Sequence, residues 1–135
     1  MTKKVMLLSL LFILGALALV LAMRNPESEA AGIQAYRSPE LLQELIREQH
    51  EAYLLIDVRT PAEFREGYIY SAANIPVDRI ASTPPDVSKD HLIIVYCRTG
   101  NRSAQARRTL ESLGYTQIVD FGGINRWPYN LEGGL

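Results

Sequence analysis

Cysteine and histidine are scarce in this chain: one cysteine and two histidines in 135 residues. Cys97 has no second thiol to pair with, so an intramolecular disulfide is excluded, and so are a multi-cysteine zinc site and a dithiol redox enzyme. His50 and His91 lie far apart and make no metal-ligand spacing. Charge of either sign is also not in surplus. Lys and Arg number 14 against 15 Asp and Glu, and setting Lys3 and Lys4 aside leaves 12 against 15. Without a basic excess there is no electrostatic case for nucleic-acid binding. No internal repeat or low-complexity tract is present. Residues 24–135 are enough for one ordinary domain, which typically holds about 100–150 residues, and too few for two separate cores.

Long apolar runs are confined to one place. Residues 1–23 contain 18 apolar residues, and Val5 to Met23 runs 19 residues without a charge. As a helix that run reaches about 28 Å, close to a ~30 Å hydrocarbon core. Two readings fit residues 1–23: a secretory signal peptide, with small-residue cleavage sites after Ala22 and Ala30, or an uncleaved N-terminal membrane anchor. Lys3 and Lys4 ahead of the run favour a cytoplasmic N-terminus. Both readings therefore put the following domain outside the cytoplasm, periplasmic or at the cell surface. Residues 24–32 (RNPESEAAG) read as a short polar tether, and the domain occupies 33–135.

Within that domain, strand and helix patterns alternate. Ser38-Pro39-Glu40 is a helix start, with Leu41, Leu42, Leu45 and Ile46 as its buried stripe. Tyr53 to Val58 reads as a buried strand. Thr60-Pro61-Ala62-Glu63 is a capping box that opens a short helix. Ala73 to Ile75 is a short strand, and Thr83-Pro84-Pro85 forces irregular chain. His91 to Tyr96 is the strongest strand pattern, ended by Cys97. Ser103 to Leu113 is a helix with Gly114 as its C-cap. Gln117 to Val119 is a last short strand, and Gly122-Gly123 is expected to start a turn. This alternation implies an α/β fold with a mostly parallel sheet covered on both faces.

Ligands in such sheets bind beyond the carboxyl ends of the strands, where Cys97 sits. The loop Arg98-Thr99-Gly100-Asn101-Arg102 then leads into a helix. Loop amides can curl into an anion-binding nest, the helix N-terminus adds partial positive charge, and Arg98 and Arg102 add formal charge. All three favour thiolate over thiol and favour an anionic substrate. Gly100 supplies a positive φ, while Thr99 and Asn101 act through backbone N–H groups. A histidine base is disfavoured, because His91 lies at the far end of the strand, roughly 20 Å away at about 3.3 Å per residue. His50 ends the first helix. Asp57, Arg59 and Glu63 read mainly as structural, Asp57 capping amides and Arg59 pairing with Glu63 across the turn. Asp57 and Arg59 are held as supporting site residues because their strand end faces the same crevice.

The segments IDVRTPAEFREGYI and SAANIP, then IIVYCRTGNRSA, then LGYTQIVDFGGINRW, resemble a single-domain rhodanese of the exported type, over about residues 33–130. The resemblance implies a five-stranded, mostly parallel sheet flanked by helices on both faces, with Cys97 as nucleophile. It implies that Cys97 takes a sulfane sulfur from a small anionic donor such as thiosulfate, becomes a persulfide, and passes the sulfur to cyanide or a thiol. Neither a metal nor an organic cofactor is implied. Partners are then a small anionic sulfur donor and a thiol or cyanide acceptor, with no nucleic acid, and on the anchor reading a membrane held through residues 5–23.

Family sulfurtransferases have a six-residue loop counted from the cysteine, and Cys97 to Arg102 is six. Related phosphatases and arsenate reductases have seven, which disfavours those activities here. An alternative within the family is a sulfur carrier or protein-binding module without turnover on free thiosulfate. Tyr68 and Ser71 stand where the family usually has histidine and glycine, which leaves the packing around them open. Intact mass of the protein from membrane and soluble extracytoplasmic fractions separates the two leader readings: full length in the membrane marks an anchor, and truncation after Ala22 or Ala30 marks a signal peptide.

Overall fold

Local sequence sets the start of two helices through their caps. A computed structural model describes residue 13, residues 32–48 and residues 53–134. The apolar run apart from Ile13, the tether up to residue 31, and His50 lie outside the described residues. No helix among the described residues is long and apolar enough to cross a membrane.

Helix α1 (Pro39–Arg47) starts as its cap dictates: the Ser38 hydroxyl accepts from the Leu41 N–H and Pro39 opens the first turn. It buries Leu42, Leu45 and Ile46, whereas Leu41, expected in the same stripe, is 40% exposed. Leu41 lies a quarter-turn off the stripe's centre and meets solvent instead. In α2 (Pro61–Glu66) the capping box is complete, with Thr60 and Glu63 bonding each other's backbone N–H.

Four parallel strands make the sheet: β1 (Tyr53–Asp57), β2 (Ala73–Asn74), β3 (Leu92–Cys97) and β4 (Ile118–Gly123), in the order β2-β1-β3-β4. Four described strands replace the five that the resemblance implies. Beside β4 lies a 3-10 turn, Gln34–Arg37, whose Gln34 amide donates to the Ile118 carbonyl at 3.1 Å. A 3-10 turn offers no ladder, so one side-chain bond stands where an edge strand would pair.

Side chains alternate across β3. Ile93, Val95 and Cys97 share one core with Ala106 and Leu110 of α3 (Asn101–Ser112). Ile94 and Tyr96 share the other with Leu42, Leu45 and Ile46 of α1. This double coverage is why β3 reads as an unbroken apolar run. Each fully buried Ile or Leu contributes roughly 1.5–3 kcal/mol.

Two boundaries differ from expectation. α3 begins at Asn101 rather than Ser103, so Asn101 and Arg102 already lie on the helix. Gly122-Gly123 is the end of β4 rather than a turn. The register jumps from Val95↔Asp120 to Tyr96↔Gly122, leaving Phe121 as the extra residue of a bulge. The Asp120 carboxylate accepts from the Gly122 N–H at 3.0 Å and holds the bulge. At the atypical positions, Tyr68 stacks on Phe64 with centroids 4.1 Å apart, and Ser71 takes φ 68° with its hydroxyl 2.9 Å from that of Tyr53.

Gly123 pairs with Cys97, and the cysteine loop packs directly on it. A Cβ at Gly123 would meet the Arg98 carbonyl at 2.6 Å and Thr99 Cα at 2.8 Å. Both are backbone atoms and cannot swing aside. Gly123→Ala is therefore expected to destabilise the domain by about 1–3 kcal/mol and to displace the loop. Chemical denaturation reads the first effect, and a lowered alkylation rate of Cys97 reads the second.

Candidate active site

Cys97 is the last residue of β3 and is 1% exposed. An inert buried cysteine lies in wholly apolar surroundings, which raise its pKa. Cys97 instead ends its strand where the chain curls back. Gly100, at φ 111°, turns the loop so that its N–H points at Cys97 Sγ, 3.0 Å away. Ser103 Oγ lies 3.7 Å from the sulfur and also reaches the carbonyls of Gly100 (2.9 Å) and Gly122 (3.3 Å). Burial pushes the thiol up, but the Ser103 and Gly100 amides, the Ser103 hydroxyl and the Thr99 amide together outweigh it, so its pKa falls below the ordinary value. The first turn of α3 thus faces a sulfur that it favours as an anion.

The arginines are placed differently from the sequence-based expectation. Glu63 was expected to pair with Arg59, yet it binds both loop arginines. Arg98 Nε donates to Glu63 Oε1 at 3.0 Å, and Arg102 forks onto both oxygens at 2.7 and 2.8 Å. The Arg102 fork holds the Glu63 carboxyl far below the usual carboxylate range, and the Glu63 carboxylate raises Arg102 in turn. The charge of Cys97 also helps to raise Arg102, so the two interact through space. The sulfur nevertheless accepts from the Gly100 N–H, and as a thiol it donates to Ser103 Oγ.

Arg59 pairs with Asp57 instead, at 2.6 Å, and both are buried. Asp57 Oδ1 also accepts from the Arg59 N–H at 2.9 Å, which is the amide capping expected of it. This pair sits on the strand end beside Cys97, since Asp57 pairs with Tyr96 in the sheet. Among the described residues neither member bonds the cysteine loop. Asn101 is exposed at the first position of α3. His91 precedes β3, at its far end from Cys97.

Two residues gain weight from the structure. Ser103 followed the expected loop and read as helix; its only signal was its place six residues after Cys97. Glu63 was legible as a cap, but its second role depends on a contact 35 to 39 residues away in sequence. Among the described residues no group of three or more His, Cys, Asp or Glu side chains is placed to hold a metal ion. A cleft of about 640 Å³, walled by Arg47, Tyr70, Trp127 and Tyr129, shares no residue with the cysteine loop. Trp127 therefore serves both the core and the wall of that cleft.

A parallel sheet with helices on both faces and a cysteine cradled by loop amides define the class. The chain belongs to the rhodanese-like domain family, whose pattern matches residues 38–134. It is 40% identical over 78 residues to a sulfurtransferase of Allochromatium vinosum, covering 57% of this chain and 73% of that protein. Over 73 residues it is 38% identical to the thiosulfate sulfurtransferase PspE of Escherichia coli, covering 51% and 68% respectively. Among solved structures it resembles a rhodanese with anions from E. coli, at 34% identity and TM-score 0.53, covering 62% of this chain and all of that one.

Because the thiol's pKa is lowered, its alkylation rate by iodoacetamide should reach half-maximum at a lower pH than that of an unperturbed cysteine. Ser103→Ala removes a hydroxyl beside the sulfur that helps to lower its pKa, so the midpoint should move upward. An unchanged midpoint would show that the hydroxyl does not act on the sulfur.

Proposed function

We propose that this rhodanese-family chain moves a sulfane sulfur from thiosulfate, or a similar anionic donor, to cyanide or a thiol through a persulfide on Cys97. The Gly100 N–H directed at Cys97 Sγ carries the reading. An amide so placed stabilises the thiolate before reaction, and the surrounding amides suit a terminal sulfur anion after it. The Cys97 thiolate attacks the outer sulfur of thiosulfate. A new S–S bond forms, the sulfur–sulfur bond of the donor breaks, and sulfite leaves with the electron pair. Cyanide then attacks the outer persulfide sulfur and departs as thiocyanate, which returns the thiolate. Each displacement is redox-balanced and requires no added cofactor.

The six-residue loop supports this choice over phosphoryl chemistry, as do relatives named sulfurtransferase and thiosulfate sulfurtransferase. The apolar run at residues 5–23 supports placing the reaction outside the cytoplasm, with the domain either released or membrane-tethered. The 1% exposure of Cys97 favours a second reading, a sulfur carrier whose loop opens to a protein thiol and which turns over poorly on free thiosulfate. Comparing cyanide with protein-thiol acceptors separates the two.

Incubation with thiosulfate should add the mass of one sulfur atom to the protein, cyanide should remove it as thiocyanate, and Cys97→Ser should abolish both. Intact-mass spectrometry checks the first step. Intact, reduced protein that never gains the sulfur would overturn the proposal.

A further inference from the structure

Glu63 belongs to the capping box of α2, yet the cap uses only part of it. Its Oε2 accepts from the Thr60 N–H at 3.0 Å and from the Thr60 hydroxyl at 2.9 Å. Its Oε1 takes no part in the cap. That atom is occupied by Arg98 Nε at 3.0 Å and Arg102 Nη2 at 2.8 Å, while Arg102 Nη1 reaches Oε2 at 2.7 Å. Glu66 adds a looser carboxylate, 3.8 Å from Arg98 Nη2. Two cations at the mouth of the cysteine loop are thus faced by two carboxylates. The fork of Arg102, the geometry that recognises phosphate or sulfate in two-point fashion, is turned onto Glu63.

We propose that Glu63 is a specificity-determining residue: by engaging Arg98 and Arg102 it withholds their guanidinium groups from tetrahedral oxyanions, so that sulfate and phosphate bind weakly at the mouth while a donor with a terminal sulfur reaches Cys97. The role assigned to the donor rests on the sulfurtransferase reading. Discrimination against oxyanions does not. Thiosulfate shares its oxygen-bearing end with sulfate, so a site that gripped that end with free guanidinium groups would be occupied by the more common anions. Loop amides favour a sulfur anion at the floor, and a neutralised rim leaves selection to them.

Protection of Cys97 from iodoacetamide by inorganic phosphate tests this on the full chain. Glu63→Gln keeps an acceptor for the Thr60 N–H and removes the charge. Its half-protecting phosphate concentration should be about five-fold lower than that of the native protein. Ala62→Gly, at an exposed position of α2, loosens the helix without altering charge or removing a partner of Glu63, and should leave the phosphate midpoint within about two-fold. If Glu63→Gln is too unstable to purify, Glu63→Asp withdraws the carboxylate from the arginines and should shift the midpoint in the same direction. Unchanged or weaker phosphate protection, or an equal shift in Ala62→Gly, would overturn the assignment. Alkylation needs no sulfur transfer, so failure of the persulfide chemistry would leave this result interpretable, and persulfide formation with unaltered phosphate protection would reject Glu63 alone.

Discussion

The buried ion pair between Asp57 and Arg59 fixes where everything else in the site can stand. Asp57 is 0% and Arg59 4% exposed. Charges withdrawn from water to that degree persist only when paired and hydrogen-bonded. Arg59 Nε lies 3.0 Å from each Asp57 oxygen, and Nη2 reaches both the carboxylate and the Gly67 carbonyl, each at 2.6 Å. Burial would lower the Arg59 pKa, but the Asp57 carboxylate outweighs it and holds the guanidinium charged. Asn74 completes the knot by donating to the carbonyls of Asp57 (3.0 Å) and Arg59 (2.9 Å). The end of β1, the exit of α2 at Gly67 and the strand β2 are thereby locked together. The position of Glu63 follows from that lock, and the set of the loop arginines follows from Glu63.

The parts legible in the sequence were those fixed by local chemistry. Ser38-Pro39 and Thr60-Pro61 announce their helices because a cap is decided within a few residues. Tyr53–Val58 and His91–Tyr96 announce buried strands because coverage on both faces removes polar residues from both. The placement of the loop amides around Cys97 was legible because those amides lie within a few residues of the sulfur in sequence. The failures are contacts between segments. Arg59 and Glu63, four apart, have the spacing of a helical ion pair, but Arg59 turns into the floor toward Asp57. Gly122-Gly123 has turn composition, yet both glycines serve a bulged strand on which the cysteine loop rests. Nothing local distinguishes a glycine chosen for positive φ from one chosen for the approach of a distant backbone. Leu41 missed the core by a quarter-turn that spacing alone resolves poorly.

Cys97 also shows how burial and a lowered thiol pKa coexist. It belongs to the same core as Val95, Ala106 and Leu110, so by packing it is an ordinary interior residue. What distinguishes it is the direction of a few N–H groups. Tyr96, its neighbour, faces the other core, where burial and the Asp57 carboxylate raise its pKa and keep its hydroxyl neutral. That hydroxyl accepts from the Ile69 N–H at 3.1 Å. Two adjacent residues on one strand thus have opposite acid–base character because the pleat sends them to different faces.

The 1% exposure of Cys97 carries a kinetic consequence for the proposed chemistry. On the proposed chemistry this one enclosed sulfur would serve donor and acceptor in turn, since Cys97 is the only cysteine in the chain. The first product would then depart before the second substrate arrives, and the protein would alternate between two covalent states. Reciprocal rate plots then run parallel, and an excess of either substrate competes with the other for the same opening.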